Sequence, residues 1–200
     1  MSVTAADVKA LRDRTGAAMM DCKAALSESE GDVDRAIEIL RVKGQASAAK
    51  REGRGTSEGV VSSYIHANDR IGAMVEVQCE TDFVARNEDF KAFAYEVALH
   101  VAATAPKFVT SEEIPAEERE AEKRVFEEKA REDGKADDVV EKIVEGQLAK
   151  WAKEVALLDQ AHVNAEKHES KSIEELRQEL AAKTGENIRV ARFAYFRVGD

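Results

Sequence analysis

Between Ile71 and Tyr95 the hydrophobic period changes from two to a helical spacing, which sets a strand-to-helix corner in mid-chain. Ile71, Ala73, Val75, Val77 and Cys79 alternate with Gly72, Met74, Glu76, Gln78 and Glu80. That is the pattern of a strand with one better-buried face. Phe83, Phe90, Phe93, Ala94 and Val97 then recur at helical spacings. The corner itself is Glu80-Thr81-Asp82-Phe83-Val84-Ala85-Arg86. Two readings of it stand open. In one, Thr81 or Asp82 caps a turn by accepting backbone N–H bonds, and Phe83 is an ordinary core aromatic. In the other, Phe83 is an exposed wedge offered to a partner and Asp82 sets its orientation.

The chain before the corner reads as three short helices. Thr4 with Asp7 forms a capping pair for a helix carrying Val8 and Leu11, and Gly16 stops it. Ala17 to Leu26 is a second helix. Gly31 breaks the chain, Asp32 caps a third helix with Val33, Ala36, Ile37 and Leu40, and Gly44 is expected to end it. Residues 1–44 thus read as a three-helix bundle that resembles the ubiquitin-associated fold. Residues 45–59 are small, polar and glycine-rich, and read as a linker. The adjacent Met19 and Met20 cannot both face one core line. Either one is buried and the other half-exposed, or they offer an adaptable apolar contact surface.

Residues 60–200 read as an α+β domain. Val60 to His66 pairs with the strand from Ile71 as an antiparallel hairpin across Ala67-Asn68-Asp69. The helix after Asp82 breaks near Asn87 and restarts, ending by Pro106. An antiparallel helical hairpin of coiled-coil type occupies about 112–153. Its first arm carries Ala121, Val125, Phe126 and Ala130. Gly134 turns the chain, Asp137 or Asp138 opens the second arm, and Val140, Val144, Leu148, Trp151 and Val155 follow. Leu157 to Ser170 reads as irregular, with His162 and His168 exposed. A helix from Ile173 to about Lys183, with Ser172 and Glu175 as capping box, ends at Gly185. The last strand, Ile188 to Val198, is apolar on both faces: Ile188, Val190, Phe196 and Val198 on one, Ala191, Phe193 and Tyr195 on the other. Both faces of the three-stranded antiparallel sheet must then be covered. The chain's few helices suffice for one, so a homodimer contact through Phe193, Tyr195 or Phe196 is expected, the alternative being a monomer whose helical hairpin or own loops fold over the second face.

Composition and motif searches narrow the function. The net charge of −10 disfavours a direct nucleic-acid partner. Cys22 and Cys79 lie far apart and form no metal-binding pair, and three or four metal ligands at recognisable spacing are not found. A cytosolic protein with reduced thiols is expected, with no membrane partner: no apolar run approaches the ~18 residues of a membrane span. The opening residues MSVTAADVKA lack the form of a signal peptide. There is no phosphate-binding loop, dinucleotide fingerprint, zinc-protease motif or recognised nucleophile motif. No metal, no cofactor and no covalent catalysis are expected.

Three stretches carry a family resemblance. VEVQCE followed by TDFVARN is similar to the signature of elongation factor Ts, the nucleotide-exchange partner of elongation factor Tu. LRDRTGAAMMDCKAAL, Leu11 to Leu26, resembles that family's N-terminal signature, and HVAATAP, His100 to Pro106, matches as well. The likeness runs from Val8 to the closing FRVGD. It implies a guanine nucleotide exchange factor that stabilises nucleotide-free elongation factor Tu. It implies contacts to Tu from Leu11, Met19 or Met20 in the bundle. At the corner it implies that Asp82 and Phe83 press on the nucleotide domain and displace the elements that hold Mg²⁺ and phosphate, with Thr81 and Val84 among the residues that bind Tu. It further implies a second contact group onto which Ile71, Gly72 and His100 map. Longer members of the family duplicate the core. This chain has one copy, so a homodimer would supply the second group from its other subunit. The competing reading is a scaffold or chaperone adaptor that binds proteins through the bundle and the helical hairpin without touching nucleotide release.

Overall fold

A computed structural model describes residues 3–51, 53–134 and 136–199, with the side chains of Gln45, Ala48, Ala49, Asp137 and Asp138 outside that description. The fold is α+β. Helices α1 (Ala5–Thr15), α2 (Met19–Glu28) and α3 (Val33–Arg51) precede strands β1 (Glu58–Ile65) and β2 (Ile71–Cys79). A short α4 (Asp82–Ala85) and a long α5 (Glu88–Thr104) follow. Next come α6 (Ala116–Glu132), α7 (Asp137–Val155), α8 (Ala165–His168), α9 (Ile173–Thr184) and β3 (Arg189–Arg197). The strands form one antiparallel sheet in the order β1-β2-β3. The hairpin closes with the His66 N–H donating to Ile71 O at 2.9 Å, and β3 is tied in by the Val198 N–H donating to Arg70 O at 2.9 Å.

Two compact units divide the chain: Met1–Ser62 with Glu76–Ala94 and Glu175–Val190, and Ser63–Val75 with Tyr95–Glu174 and Ala191–Asp200. In the first, α1 to α3 close on Val8, Leu11, Cys22, Ala25, Leu26, Ala36 and Leu40. The Thr4–Asp7 capping box starts α1, and Gly16 ends it in a left-handed conformation with φ of 67°. Asp32 caps α3 by accepting the Asp34 and Arg35 N–H groups, both at 3.0 Å. The expected stop at Gly44 is overturned, for α3 runs on to Arg51. One interior glycine costs a helix about 1 kcal/mol, and the following QASAAK stretch holds no proline, so the helix continues through it. Glu52, within the expected linker, lies outside the described residues.

In the second unit, α6 and α7 pair around Ala130, Val140 and Val144, with Phe126, Ile143 and Leu148 packed against them. The turn between them uses Gly134 at φ of 72°. Helix α7 begins at Asp137, but a capping role for Asp137 or Asp138 lies outside the described side chains. Among the described residues, no helix is long and apolar enough to cross a membrane.

Candidate functional site

The corner after β2 is built from its backbone outward. Thr81 is extended, at φ −127° and ψ 156°, and caps α4 by accepting the Val84 N–H at 3.5 Å. Helix α4 is four residues long and buries only Ala85. Its own packing therefore fixes little of its direction. Asp82 is half-buried and pairs with Arg86 at 3.0 Å, and Val84 is half-buried beside it. Phe83 is 82% exposed. The core reading of this aromatic is thereby set aside, since a core phenylalanine is fully enclosed, as Phe90 is.

Charge and hydrogen bonds lock the base of the corner. The Glu186 carboxylate, in the loop between α9 and β3, accepts the Glu80 N–H at 3.0 Å, the Thr81 N–H at 3.1 Å and the Thr81 hydroxyl at 2.5 Å. The Cys79 thiol donates to Thr81 O at 3.2 Å. Burial, with the nearby Glu186 charge adding to it, pushes the Cys79 thiol up to about 11. In return, Glu80 Oε1 accepts the Asn187 N–H at 2.6 Å and pairs with Arg54 at 3.3 Å.

The bundle in the same unit sorts its three expected contact residues. Leu11 is enclosed in the bundle core. Met19 is 45% exposed and Met20 71% exposed.

The second unit carries Ile71, Gly72 and His100. Ile71 is half-buried and Gly72 buried. A β-carbon on Gly72 would lie 2.7 Å from Ile65 Cδ1, so only glycine fits beside that side chain as it stands. His100 is fully buried. Its Nδ1 accepts the Val163 N–H at 3.0 Å, which leaves the proton on Nε2 to donate to Gln160 Oε1 at 2.8 Å. Burial pushes its imidazole down to about 4, with the Gln160 bond opposing that shift. His100 as placed ties the segment 160–163 to α5 and has no surface of its own.

The comparisons with known proteins agree with one another. The sequence model of the family described as Elongation factor TS matches residues 4–169. The chain is 49% identical over 200 residues to Elongation factor Ts of Geobacter sulfurreducens, spanning all of this chain and 91% of that protein. It is 52% identical over 198 residues to Elongation factor Ts of Syntrophomonas wolfei, spanning 99% of this chain and 91% of that one. Against Elongation factor Ts of Koribacter versatilis it is 52% identical over 200 residues, spanning all of this chain and 90% of the relative.

The chain belongs to the elongation factor Ts family.

Several features of this chain carry no local sequence signal. His162 and His168 were expected to be exposed, yet His162 is buried and His168 largely enclosed. With Glu96 they form a group whose potential metal-ligating atoms lie within 4.8 Å of one another, a meeting that spacing along the sequence does not reveal. Their hydrogen bonds describe a different device, however. His162 Nδ1 accepts the Asn164 N–H at 3.0 Å, which puts the imidazole proton on Nε2. A metal would need that nitrogen, and it instead faces Glu96 Oε2 at 3.4 Å and Glu96 O at 3.3 Å. His168 Nε2 stands 3.5 Å from the same Oε2, and Lys167 pairs with Oε1. Although burial opposes ionisation, the Lys167 bond and charge hold the Glu96 carboxyl below its usual range. Burial, then the neighbouring His168, lowers the His162 imidazole.

Apolar exposure also sorts the last strand. Phe196 and Val198 are 62% and 60% exposed, while Phe193 and Tyr195 are half-buried. The sequence marked both faces as apolar. The Phe196 end is the one that meets solvent in the single chain. Glu186 gave no sequence signal beyond following the helix-ending Gly185.

Proposed function

We propose that the Asp82–Phe83 corner is the element through which this chain acts on elongation factor Tu. The chain is a translation elongation factor, a guanine nucleotide exchange factor of the elongation factor Ts family that promotes GDP release from elongation factor Tu. The observation that carries the corner assignment is a phenylalanine 82% exposed on a four-residue helix whose base is clamped by hydrogen bonds. An aromatic held out in water on a fixed base has the form of an interface anchor. Thr81 and Val84 complete this contact. Met20, with Met19 beside it, is the bundle's contact, and Leu11 supports it from the core. Ile71 and Gly72 form the second contact, and His100 acts only through the segment it holds. By linkage, nucleotide weakens binding of this factor by the ratio that the factor weakens nucleotide binding.

The finer reading has four further parts. The protein works by binding and makes or breaks no covalent bond. It acts in the cytoplasm, without a direct nucleic-acid partner. The N-terminal bundle, its third helix running on to Arg51, forms a unit of modest stability by itself. The working unit is a homodimer through the sheet, favoured by the exposed Ile65, Met74, Phe196 and Val198 of the second unit. Phe193 and Tyr195 back that surface from within the chain.

The test is release of labelled GDP from purified elongation factor Tu. Acceleration by catalytic amounts of this protein supports the reading. Tight binding to Tu with no acceleration would favour the scaffold alternative.

A further inference from the structure

Phe83 needs a fixed direction, and α4 cannot supply it. The helix has four residues and one buried side chain, Ala85. Its orientation therefore comes from Thr81, the residue that caps it and joins it to β2. All three polar groups of Thr81 are held. Its N–H donates to Glu186 Oε2 at 3.1 Å, its hydroxyl donates to Glu186 Oε1 at 2.5 Å, and its carbonyl accepts the Cys79 thiol at 3.2 Å. Two of those three holds belong to one carboxylate that is 105 residues away in sequence. The same carboxylate also takes the Glu80 N–H at 3.0 Å, so it grips two successive peptide N–H groups. Hydrogen bonds to an ionised acceptor are roughly twice as strong as neutral ones. The strap is reciprocal, because Glu80 Oε1 takes the Asn187 N–H at 2.6 Å.

We propose that Glu186 is a positioning residue for the exchange wedge: from the loop between α9 and β3 its carboxylate fixes the Glu80–Thr81 peptide and the Thr81 hydroxyl, and so sets the direction in which Asp82 and Phe83 leave the sheet. The inference rests on the corner being the acting element. It adds that the corner's geometry is imposed from the loop after α9, with Glu186 touching neither nucleotide nor partner. A misdirected wedge still docks through the bundle but no longer pushes at the right place. Loss of the strap therefore lowers the rate of exchange at saturating Tu·GDP more than it raises the concentration needed for half-saturation. Misplacement of about an ångström can cost up to roughly a hundredfold in rate.

The chemistry of the strap supplies its own control. In Glu186→Gln, the amide oxygen can still accept both N–H groups and the amide nitrogen can donate to the Thr81 hydroxyl oxygen. In Glu186→Ala all three bonds are gone. The experiment measures GDP release from elongation factor Tu over a range of Tu·GDP concentrations for the full-length wild type, Glu186→Ala and Glu186→Gln. Each protein's melting curve and amide hydrogen exchange are recorded alongside. The expected result is a kcat for Glu186→Ala lower by about tenfold or more with KM changed by less than about threefold. Glu186→Gln should recover most of the rate. The Glu80 and Thr81 amides should exchange faster in the alanine variant and stay protected in the glutamine variant. A folded Glu186→Ala protein with wild-type kcat overturns the inference, as does a Glu186→Gln protein no better than alanine. If Glu186→Ala fails to fold, Glu186→Asp is read the same way, since it keeps the charge and withdraws the carboxylate by one methylene. A wild-type kcat for a folded Glu186→Asp with both amides unprotected then overturns it. Failure of the wild type itself to release GDP would refute the exchange reading instead, and the two failures are told apart by that first measurement.

Discussion

Phe83 and Phe90 stand on either side of the α4–α5 break with opposite burial: Phe83 is 82% exposed and Phe90 is fully enclosed. Truncation should therefore separate them. Phe90→Ala should destabilise the chain by about 3–5 kcal/mol. Phe83→Ala should stay within about 0.5 kcal/mol of wild type. Urea denaturation of the two variants checks this, and equal destabilisation would contradict the exposed placement.

The bundle offers the same contrast on a smaller scale. Leu11→Ala should cost about 2–5 kcal/mol, because Leu11 fills the bundle core. Met20→Ala should leave the melting temperature nearly unchanged and weaken binding to elongation factor Tu, because Met20 is 71% exposed. Calorimetric titration against nucleotide-free Tu measures the second effect. Undiminished affinity in Met20→Ala would remove that residue from the interface.

Acid should loosen the second unit. His100 titrates near 4 in the folded chain and at its ordinary 6.5 when unfolded, with burial as the main cause. His162 is lowered in the same direction, burial again leading, next to His168, Glu96 and Lys167. Between those values the unfolded chain binds more protons than the folded one, so stability rises with pH across the window and is lost as pH falls from about 6.5 towards 4. Urea midpoints between pH 7.5 and 5.5 should fall, and His100→Asn should flatten the slope. A midpoint independent of pH over that range would count against the neutral, buried histidines.

The proposed dimer makes a concentration-dependent prediction. Phe196→Glu places a charge on a side chain that is 62% exposed in the single chain. In sedimentation equilibrium the wild type should dimerise with rising concentration, and Phe196→Glu should shift that transition to higher concentration by about tenfold or more while exchange falls in step. A wild type that stays monomeric at all concentrations and is fully active would refute the dimer.

The period change at Cys79–Phe83 was legible because helical and strand periods are local properties of a sequence. The Thr4–Asp7 and Asp32 caps were legible for the same reason: cap and capped N–H lie within three residues. What exceeded the local pattern was lost. Whether Phe83 faces core or water depends on what packs around α4, so periodicity alone leaves both readings open, and only the family resemblance favours the exposed one that the fold shows. The Glu186 strap joins residues 105 and 106 apart, and no local signal marks it. His162 sits in an irregular polar stretch that looked like surface. It is buried because Asn164 N–H and Glu96 satisfy both ring nitrogens. Gly44 looked like a stop, but neighbouring helix formers outweigh one glycine.

Stopped-flow release of labelled GDP from elongation factor Tu, with wild type and Phe83→Ala compared at equal concentrations of folded protein, tests the central claim most directly. Rapid release is expected with wild type, and a loss equivalent to about 2 kcal/mol or more, roughly thirtyfold, with Phe83→Ala. Equal release by a well-folded Phe83→Ala protein would contradict it.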